Sequence, residues 1–306
     1  MPGQTFLGAL LVTLLVLSAD GASIALGGVH SCALSFAVTN STMKCWGENT
    51  RGELGDGTTT NRRTPGVVSG ITTATSIALG GHHSCALLTD GTIQCWGNNG
   101  SGDLGDGTTT NRLTPVEVSG ITTATSIVVG SYHSCALLTD GTVKCWGWNL
   151  AGQLGDGTTT NRPTPVELSG ITNPTSIALG RDHSCALLTD GTMKCWGGNT
   201  YGELGDGTTT QRFTPVELSG ITNPTSIALG DHHSCALLTD GTVKCWGYNG
   251  YGQLGDGTTT QRLTPMEVSG LILAPRPLPL RPCTCCERRM KSMGFSVGAE
   301  DCDPEL

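Results

Sequence analysis

Short apolar runs alternate with glycine-rich polar stretches along most of the chain. Residues 76–80 (SIALG) and 83–88 (HSCALL) are typical examples, each bounded by glycine and polar residues as strands usually are. No segment keeps apolar residues at helical spacing for ten residues. The pattern therefore predicts an all-β protein.

A Thr-Asp-Gly turn follows HSCALL and predicts a β-hairpin. Gly91 can take the left-handed conformation that closes a three-residue loop with a bulge. In that register Leu87 faces Ile93, and Cys85 faces Cys95. TPVEV predicts a further strand, with its proline near the start, where the ladder needs no donor. Each unit therefore has about four strands.

The unit is repeated five times between Ser23 and Gly270 with a period of 50 residues, apart from a looser first copy. Both faces of the hairpin are apolar, so each sheet needs a neighbour on each side, which radial stacking of blades supplies. We predict a β-propeller of about five four-stranded blades. One blade built from the strands at 23–27 and 264–268 would close the ring; an incomplete ring completed by another chain is the alternative.

Composition and charge narrow the class of protein. With 45 glycines in 306 residues, 14% charged and 5% aromatic residues, the chain is no coiled coil. The glycines do not recur every third residue, which excludes collagen. The repeats carry the whole net charge of −8 without a basic stripe, so we expect neither nucleic acid nor an anionic membrane as a partner.

Ten of the 14 cysteines form one pair per repeat, placed opposite each other by the hairpin register. Opposed residues on paired strands are close enough for a disulfide, and such a cysteine content favours an oxidising compartment. Zinc is the rival interpretation, since His83 shares a face with Cys85 and Cys95, but no fourth ligand recurs and we expect no metal there. The predicted disulfides are Cys32–Cys45, Cys85–Cys95, Cys135–Cys145, Cys185–Cys195 and Cys235–Cys245.

The two ends of the chain depart from the repeat. Residues 1–22 resemble a signal peptide: an apolar run of 12 residues at 6–17 is too short to span a bilayer, and Ala19-Asp20-Gly21 suits cleavage. A misassigned start, with the protein beginning near Ser23, is the alternative. Residues 271–306 form an irregular tail rich in Pro, Arg and Cys, which we interpret as non-globular or as the result of a frame change that truncated a longer ring. We expect a secreted or cell-surface protein.

The residues repeated in all five copies are expected to be structural. A histidine that recurs at the same place in each blade, as His83 does, is expected to bond neighbouring backbone rather than to catalyse. The aspartate of each Leu-Gly-Asp-Gly is expected to cap backbone amides, and the arginine six residues later to pair with such an acid between blades. No phosphate-binding loop or catalytic triad recurs, so we expect no enzyme activity and no cofactor.

The residues that differ between copies are more informative about function. They occupy the two positions before each recurring histidine and the positions after each Cys-Trp-Gly, which the hairpin places at one end of the blades. All tyrosine and tryptophan residues that vary lie there, and Trp, Tyr and Arg dominate interface hot spots. Drift in surface loops is the rival explanation. The predicted binding residues are Tyr132, Trp148, Arg181, Asp182, Tyr201, Asp231, His232, Tyr248 and Tyr251.

Residues 233–257, HSCALLTDGTVKCWGYNGYGQLGDG, resemble the regulator-of-chromosome-condensation repeat, with its H-S-x-A-L, D-G-x-V, W-G-x-N and G-Q-L-G elements. The resemblance implies a β-propeller, usually of seven blades, but no single activity. We interpret the chain as a non-enzymatic binding module for another protein. The alternatives are a structural repeat array without a dedicated partner, and a guanine-nucleotide exchange factor for a small GTPase, which the resemblance alone suggests.

Overall fold

The computed structural model of the protein describes residues 22–36 and 41–273. Throughout these residues the regular structure is β, in five antiparallel sheets of four strands each, so the predicted all-β propeller fold of four-stranded blades is confirmed. Within the same residues no helix meets the length and apolarity that a bilayer span requires. The predicted leader at 1–22 lies outside the described residues except for Ala22, and the tail lies outside them beyond residue 273.

Each blade uses four consecutive strands in chain order. We number the blades 1 to 5 along the chain. The strands are β1 (Ala22–Leu26), β2 (His30–Phe36), β3 (Ser41–Gly47) and β4 (Arg62–Val67) in blade 1; β5 (Ala74–Leu79), β6 (His83–Leu88), β7 (Ile93–Gly97) and β8 (Arg112–Glu117) in blade 2; β9 (Ala124–Val129), β10 (His133–Leu138), β11 (Val143–Gly147) and β12 (Arg162–Glu167) in blade 3; β13 (Pro174–Leu179), β14 (His183–Leu188), β15 (Met193–Gly197) and β16 (Arg212–Glu217) in blade 4; and β17 (Pro224–Leu229), β18 (His233–Leu238), β19 (Thr242–Gly247) and β20 (Arg262–Ile272) in blade 5.

The central hairpin of each blade has the predicted register. In blade 2, Cys85 pairs with Cys95 and Leu87 with Ile93. Gly91 has a φ of 80°, which favours glycine, and the amide of Leu88 donates to the carbonyl of Thr92 at 2.9 Å to close the turn. The same register brings each cysteine pair to a Cα separation of 4.1 Å, and all five predicted disulfides are formed.

The predicted blade built from both ends of the chain is wrong, because within the described residues each blade uses four consecutive strands of its own. Blade 1 has its own fourth strand, β4, whose Val67 pairs with Lys44 of β3. Blade 5 likewise keeps β20 as its own fourth strand. This strand continues to residue 272, past the predicted repeat end at Gly270.

Neighbouring blades bury their apolar faces against each other, with the first strands in contact in the order β1, β5, β9, β13 and β17. Trp146 of blade 3 packs with Leu104 and Val118 of blade 2 and is fully buried. Burying a side chain of roughly 150–250 Å² is worth about 4–6 kcal/mol by area. In blade 1 the equivalent Trp46 is only half-buried, and Leu26 is 45% exposed, since no earlier blade precedes it in the described residues.

Candidate functional site

The variable positions of each blade lie side by side at one end of the sheets, which we call the variable end. It comprises the turn before the second strand and the loop after the third strand. A backbone hydrogen bond joins the two segments in every blade; in blade 3 the amide of Trp148 donates to the carbonyl of Tyr132 at 2.9 Å. The Thr-Asp-Gly turns lie at the opposite end, which we call the turn end, because the antiparallel register separates His83 and Gly97 from that turn.

A repeated hydrogen-bond network holds the long loop of the variable end. In blade 3 the buried Asn149 donates through its side-chain amide to Asp156 at 3.1 Å and to the carbonyl of Thr160 at 3.1 Å. Its carbonyl oxygen accepts from the amide of Leu154 at 2.9 Å. The loop backbone is therefore fixed by residues common to all copies, which leaves the variable side chains free to differ.

The aspartate of each loop caps backbone amides as predicted, but its arginine pairing is not the predicted one. In blade 3, Asp156 accepts from the amide of Thr158 at 2.9 Å, and Arg162 lies 2.7 Å from Asp156. Asp156 lies in the loop before β12, and Arg162 is the first residue of that strand, so the pair lies within one blade rather than between blades. The arginine lowers the pKa of Asp156 together with the Thr158 hydroxyl, against the opposing effect of burial.

Buried residues at the blade boundaries form a second repeated network. The hydroxyl of Ser84 in blade 2 donates to the carbonyl of Glu53 in blade 1 at 2.9 Å and lies 2.7 Å from Nε2 of His30. Since the hydroxyl proton is already used, Nε2 of His30 must carry the proton and donate to the serine. Trp96 of blade 2 donates to the same carbonyl at 2.9 Å. The recurring histidines of blades 1 to 4 therefore join each blade to the next through a serine hydroxyl, which corrects the predicted bond to backbone for these four.

This histidine and serine pairing does not provide an activated nucleophile. Ser84 is fully buried, and His30 is only 3% exposed, so neither faces a substrate. The Nδ1 atom of His30 is also buried without a hydrogen-bond partner. Burial accordingly lowers the pKa of His30 to about 4 and keeps its imidazole neutral. The pair stabilises the boundary between blades.

Two groups of aromatic side chains lie at the variable end. Tyr132 and Trp148 of blade 3 meet edge to face, with ring centroids 5.5 Å apart. Tyr248 of blade 5 lies 4.9 Å from Tyr201 of blade 4 and 6.0 Å from Tyr251. Tyr251 is 89% exposed, whereas the other four rings are half-buried. The five variable tyrosine and tryptophan residues thus lie in clusters that are partly accessible to solvent.

The charged residues predicted for binding lie at the variable ends of blades 4 and 5. Arg181 is exposed and lies 3.8 Å from Asp182. Burial raises the pKa of Asp182, while Arg181 opposes this shift. His232 stacks edge to face on Tyr201 at 5.3 Å, and Asp231 precedes it in the same turn. These residues extend the second aromatic group with charge of both signs.

One set of buried polar residues at the variable end was not singled out from the sequence. It occupies the position before each Leu-Gly, and its side chains differ in chemistry; four of them are buried, and that of Gln253 is half-buried. Burial raises the pKa of Asp103 to about 7, whereas His82 and backbone amides lower the pKa of Glu53 despite its burial. In the sequence this set is visible as one loop position that holds an acid in some copies and an amide in others: Glu53, Asp103, Gln153, Glu203 and Gln253.

Asn40-Ser41-Thr42 and Asn99-Gly100-Ser101 have the sequence of N-glycosylation acceptor sites, which must be exposed to be modified. Asn99 is fully buried, and its side-chain amide donates to Asp106 and to the carbonyl of Thr110. Asn40 lies outside the described residues.

Comparison with known proteins identifies close structural relatives of these blades. The RCC1-like domain matches residues 12–284 of the chain. No curated protein sequence matches the chain. Among solved structures, yeast RCC1 (Prp20) bound to Kap60 is 25% identical, with a TM-score of 0.71 over 82% of this chain and 62% of that chain.

Two further solved structures have the same architecture. Prp20p from Saccharomyces cerevisiae, described with its binding properties to Gsp1p and histones, is 25% identical, with a TM-score of 0.69 over 82% of this chain and 64% of that chain. Human WBSCR16 is 22% identical, with a TM-score of 0.70 over 81% of this chain and 67% of that chain. This chain thus spans less than two thirds of the length of the yeast proteins.

Proposed function

The chain belongs to the RCC1-like domain family, and from this premise we propose that it is a non-enzymatic module that binds another protein through the variable end of its blades. The similar yeast structures support protein binding, since one is solved with Kap60 and another is described with its binding to Gsp1p and histones. The observation that carries the proposal is the clustering of the five variable tyrosine and tryptophan residues at this end.

The aromatic groups have the properties of interface anchors. Tyr132 and Trp148 support each other edge to face, which limits their rotamers before a partner arrives. Rigid, half-buried aromatic side chains supply contact area at a low cost in conformational entropy. The fixed loop backbone beneath them adds to this preorganisation. A protein surface with apolar pockets is therefore the expected partner.

The charge of the variable end indicates a partner with basic residues. The accessible acids here are Glu48, Asp182 and Asp231, against Arg181 and, in the blade 1 loop, Arg51. The loop aspartates are already neutralised by their arginines. Opposite charges steer association and make the on-rate sensitive to salt. Binding is expected to weaken as ionic strength rises.

Replacing Tyr132, Trp148 and Tyr248 by alanine together is expected to weaken partner binding at least about a hundredfold, because a hot-spot aromatic residue is worth about 2 kcal/mol or more. The partner is first identified with a photo-crosslinking amino acid at Leu150, which is 61% exposed beside Trp148. The affinity of the purified partner is then measured for the wild-type chain and the triple variant.

The matched control changes three exposed threonines at the turn end: Thr89→Ala, Thr139→Ala and Thr189→Ala. This control is expected to bind the partner as the wild type does. Full affinity in the aromatic variant, or equal loss in the threonine variant, contradicts the assignment of the contact to the variable end. The first of these outcomes favours a structural array whose variable residues arose by drift.

We further propose that the protein works outside the cell. Support comes from the leader-like residues 1–22 and from five disulfides that an oxidising compartment would maintain. Expression in secretory eukaryotic cells is expected to give a secreted chain that begins near Ser23. Its ten blade cysteines should react with iodoacetamide only after reduction. Intact mass with and without reductant measures both, and a cytosolic product with the leader retained and free thiols contradicts secretion.

Guanine-nucleotide exchange is the alternative activity that the family suggests. Release of labelled GDP from a small GTPase, measured with and without the purified chain, distinguishes it from simple binding. A rate unchanged by the chain is expected. Acceleration that the turn-end threonine variant retains, together with cytosolic localisation, would favour the exchange factor.

A further inference from the structure

Three potential metal ligands meet at the variable end where blade 1 adjoins blade 2. Glu48 follows β3 directly, and Glu53 lies in the turn after it, whereas His82 lies in the turn before β6. One ligand atom from each of the three lies within 4.8 Å of the others. Two blades thus contribute to one cluster of two carboxylates and an imidazole.

Glu53 and His82 face each other without completing a hydrogen bond. Oε1 of Glu53 lies 3.8 Å from Nδ1 of His82, which is beyond hydrogen-bond distance. Glu53 is fully buried, and both of these atoms are buried without a hydrogen-bond partner. The other oxygen of Glu53 is held in place, since it accepts from the amide of Arg51 at 2.9 Å.

The two unpartnered atoms point to a cation. An unsatisfied buried carboxylate oxygen is costly, and a neighbouring imidazole nitrogen offers a second lone pair to the same point in space. Glu48 adds a half-exposed carboxylate, which accepts a hydrogen bond of 2.8 Å from the Thr50 hydroxyl. Carboxylate oxygen and imidazole nitrogen together suit zinc and related divalent ions.

The geometry needs only a modest adjustment to bind such an ion. Tetrahedral ligands at zinc stand about 3.4 Å apart, given bond lengths near 2.0–2.1 Å. The distance of 3.8 Å between Glu53 and His82 therefore has to close by a few tenths of an ångström. Glu48, as a partly exposed side chain, has the freedom to rotate inward.

The other blade boundaries provide a comparison within the same chain. At the boundary of blades 4 and 5, Glu203 faces His232 at 3.6 Å, but Gly198 stands where Glu48 does. The two central boundaries lack the glutamate and histidine pair altogether. Only the first boundary combines all three ligands at these repeat positions.

We propose that Glu48, Glu53 and His82 bind one divalent metal ion of the zinc class, which links blade 1 to blade 2. Three protein ligands leave a fourth tetrahedral position for water or for a group of a partner. This inference is independent of the proposed protein binding, because it rests on the ligand atoms alone.

Zinc titration by isothermal calorimetry tests the site directly. The full chain is used with every thiol outside the disulfides blocked by iodoacetamide, because free thiolates also bind zinc. One ion is expected to bind the wild type. Glu48→Gln is expected to weaken binding by at least about tenfold, which is the lower end of what losing even a supporting group costs. His82→Asn should act in the same direction.

The matched control is His232→Asn, which changes the two-ligand boundary and is expected to leave zinc affinity unchanged. Because Glu48 is partly exposed, its replacement by glutamine keeps the fold, and equal thermal unfolding of the metal-free wild type and variant verifies this. Zinc is also expected to raise the unfolding temperature of the wild type more than that of Glu48→Gln. Equal zinc affinity in the wild type, Glu48→Gln and His82→Asn overturns the site and leaves Glu53 and His82 as an ion pair only.

Discussion

Reduction of the five disulfides is expected to lower the free energy of unfolding of the blades by about 10 kcal/mol. Four disulfides span a sequence separation of 10 residues and the first spans 13. Closing a loop of that size removes about 2–3 kcal/mol of chain entropy from the unfolded state. The sum equals the whole stability of an ordinary domain, so the reduced blades should unfold in mild denaturant.

Urea unfolding with and without a phosphine reductant measures this effect, with tryptophan fluorescence as the signal. Four of the six tryptophans of the repeats, Trp96, Trp146, Trp196 and Trp246, are fully buried in the disulfide hairpins. The matched control replaces Cys135 and Cys145 by alanine, and it should cost about 2–3 kcal/mol. Hydrogen exchange should place most of that loss in blade 3. An unchanged unfolding midpoint after complete reduction contradicts the prediction.

Local pattern was enough to predict the blade and its disulfides. The register of the hairpin depends on four or five neighbouring residues, and Gly91 determines the turn that sets it. Once Leu87 faces Ile93, the position of Cys85 opposite Cys95 follows from the strand period of two. Nothing distant in the chain has to be known for this step.

Contacts between blades could not be assigned, because near-identical repeats give the same residue types at every boundary. An arginine in one copy has an equivalent aspartate in its own loop and in the next copy, so the sequence does not say which one Arg162 contacts. The pairing of His30 with Ser84 across 54 residues is hidden in the same way. The wrong prediction of a blade built from both ends of the chain has the same origin, since β4 and β20 carry the same motif.

The candidate site was only partly predictable for a related reason. Variation between copies marked Tyr132 and Trp148, because exposed positions tolerate change. The same variation did not single out Glu53, whose partner His82 belongs to the next blade. Burial of a charged residue is a property of the assembled boundary, and the sequence alone does not reveal it.

Acidification from pH 7 to pH 4 is expected to destabilise the blades strongly through the buried histidines. Burial lowers the pKa of His30 and His183 to about 4 and that of His83 and His133 to about 3, from an ordinary value of 6.5. Below pH 6.5 the unfolded chain takes up protons that the folded chain refuses. The stability is therefore present above pH 6.5 and is lost as the pH falls towards 4, by about 1.4 kcal/mol per pH unit for each histidine.

Asp103 and Asp182 act in the opposite direction, because each stabilises the folded chain as the pH falls. Burial raises the pKa of Asp103 to about 7 and also raises the pKa of Asp182, so the folded chain gains protons there before the unfolded chain does. At Asp103 this uptake of a proton stabilises the folded chain by about 4 kcal/mol between pH 7 and pH 4, which offsets part of the loss caused by the histidines. Four histidines together lose on the order of 10 kcal/mol at pH 4, so the histidines determine the sign.

Urea unfolding at several pH values between 7 and 4 measures the net effect, and two variants at one boundary isolate its cause. His133→Gln can still donate to Ser184, which lies 2.9 Å from Nε2 of His133, but it no longer titrates. Its loss of stability on acidification should be about 3 kcal/mol smaller than that of the wild type. Ser184→Ala removes the hydrogen bond and keeps the buried imidazole, so it should be less stable at every pH with the same dependence on pH. If His133→Gln loses as much stability between pH 7 and pH 4 as the wild type does, the buried imidazoles are not the source of the acid sensitivity. The carboxylates that pair with arginine in the loops are then its source.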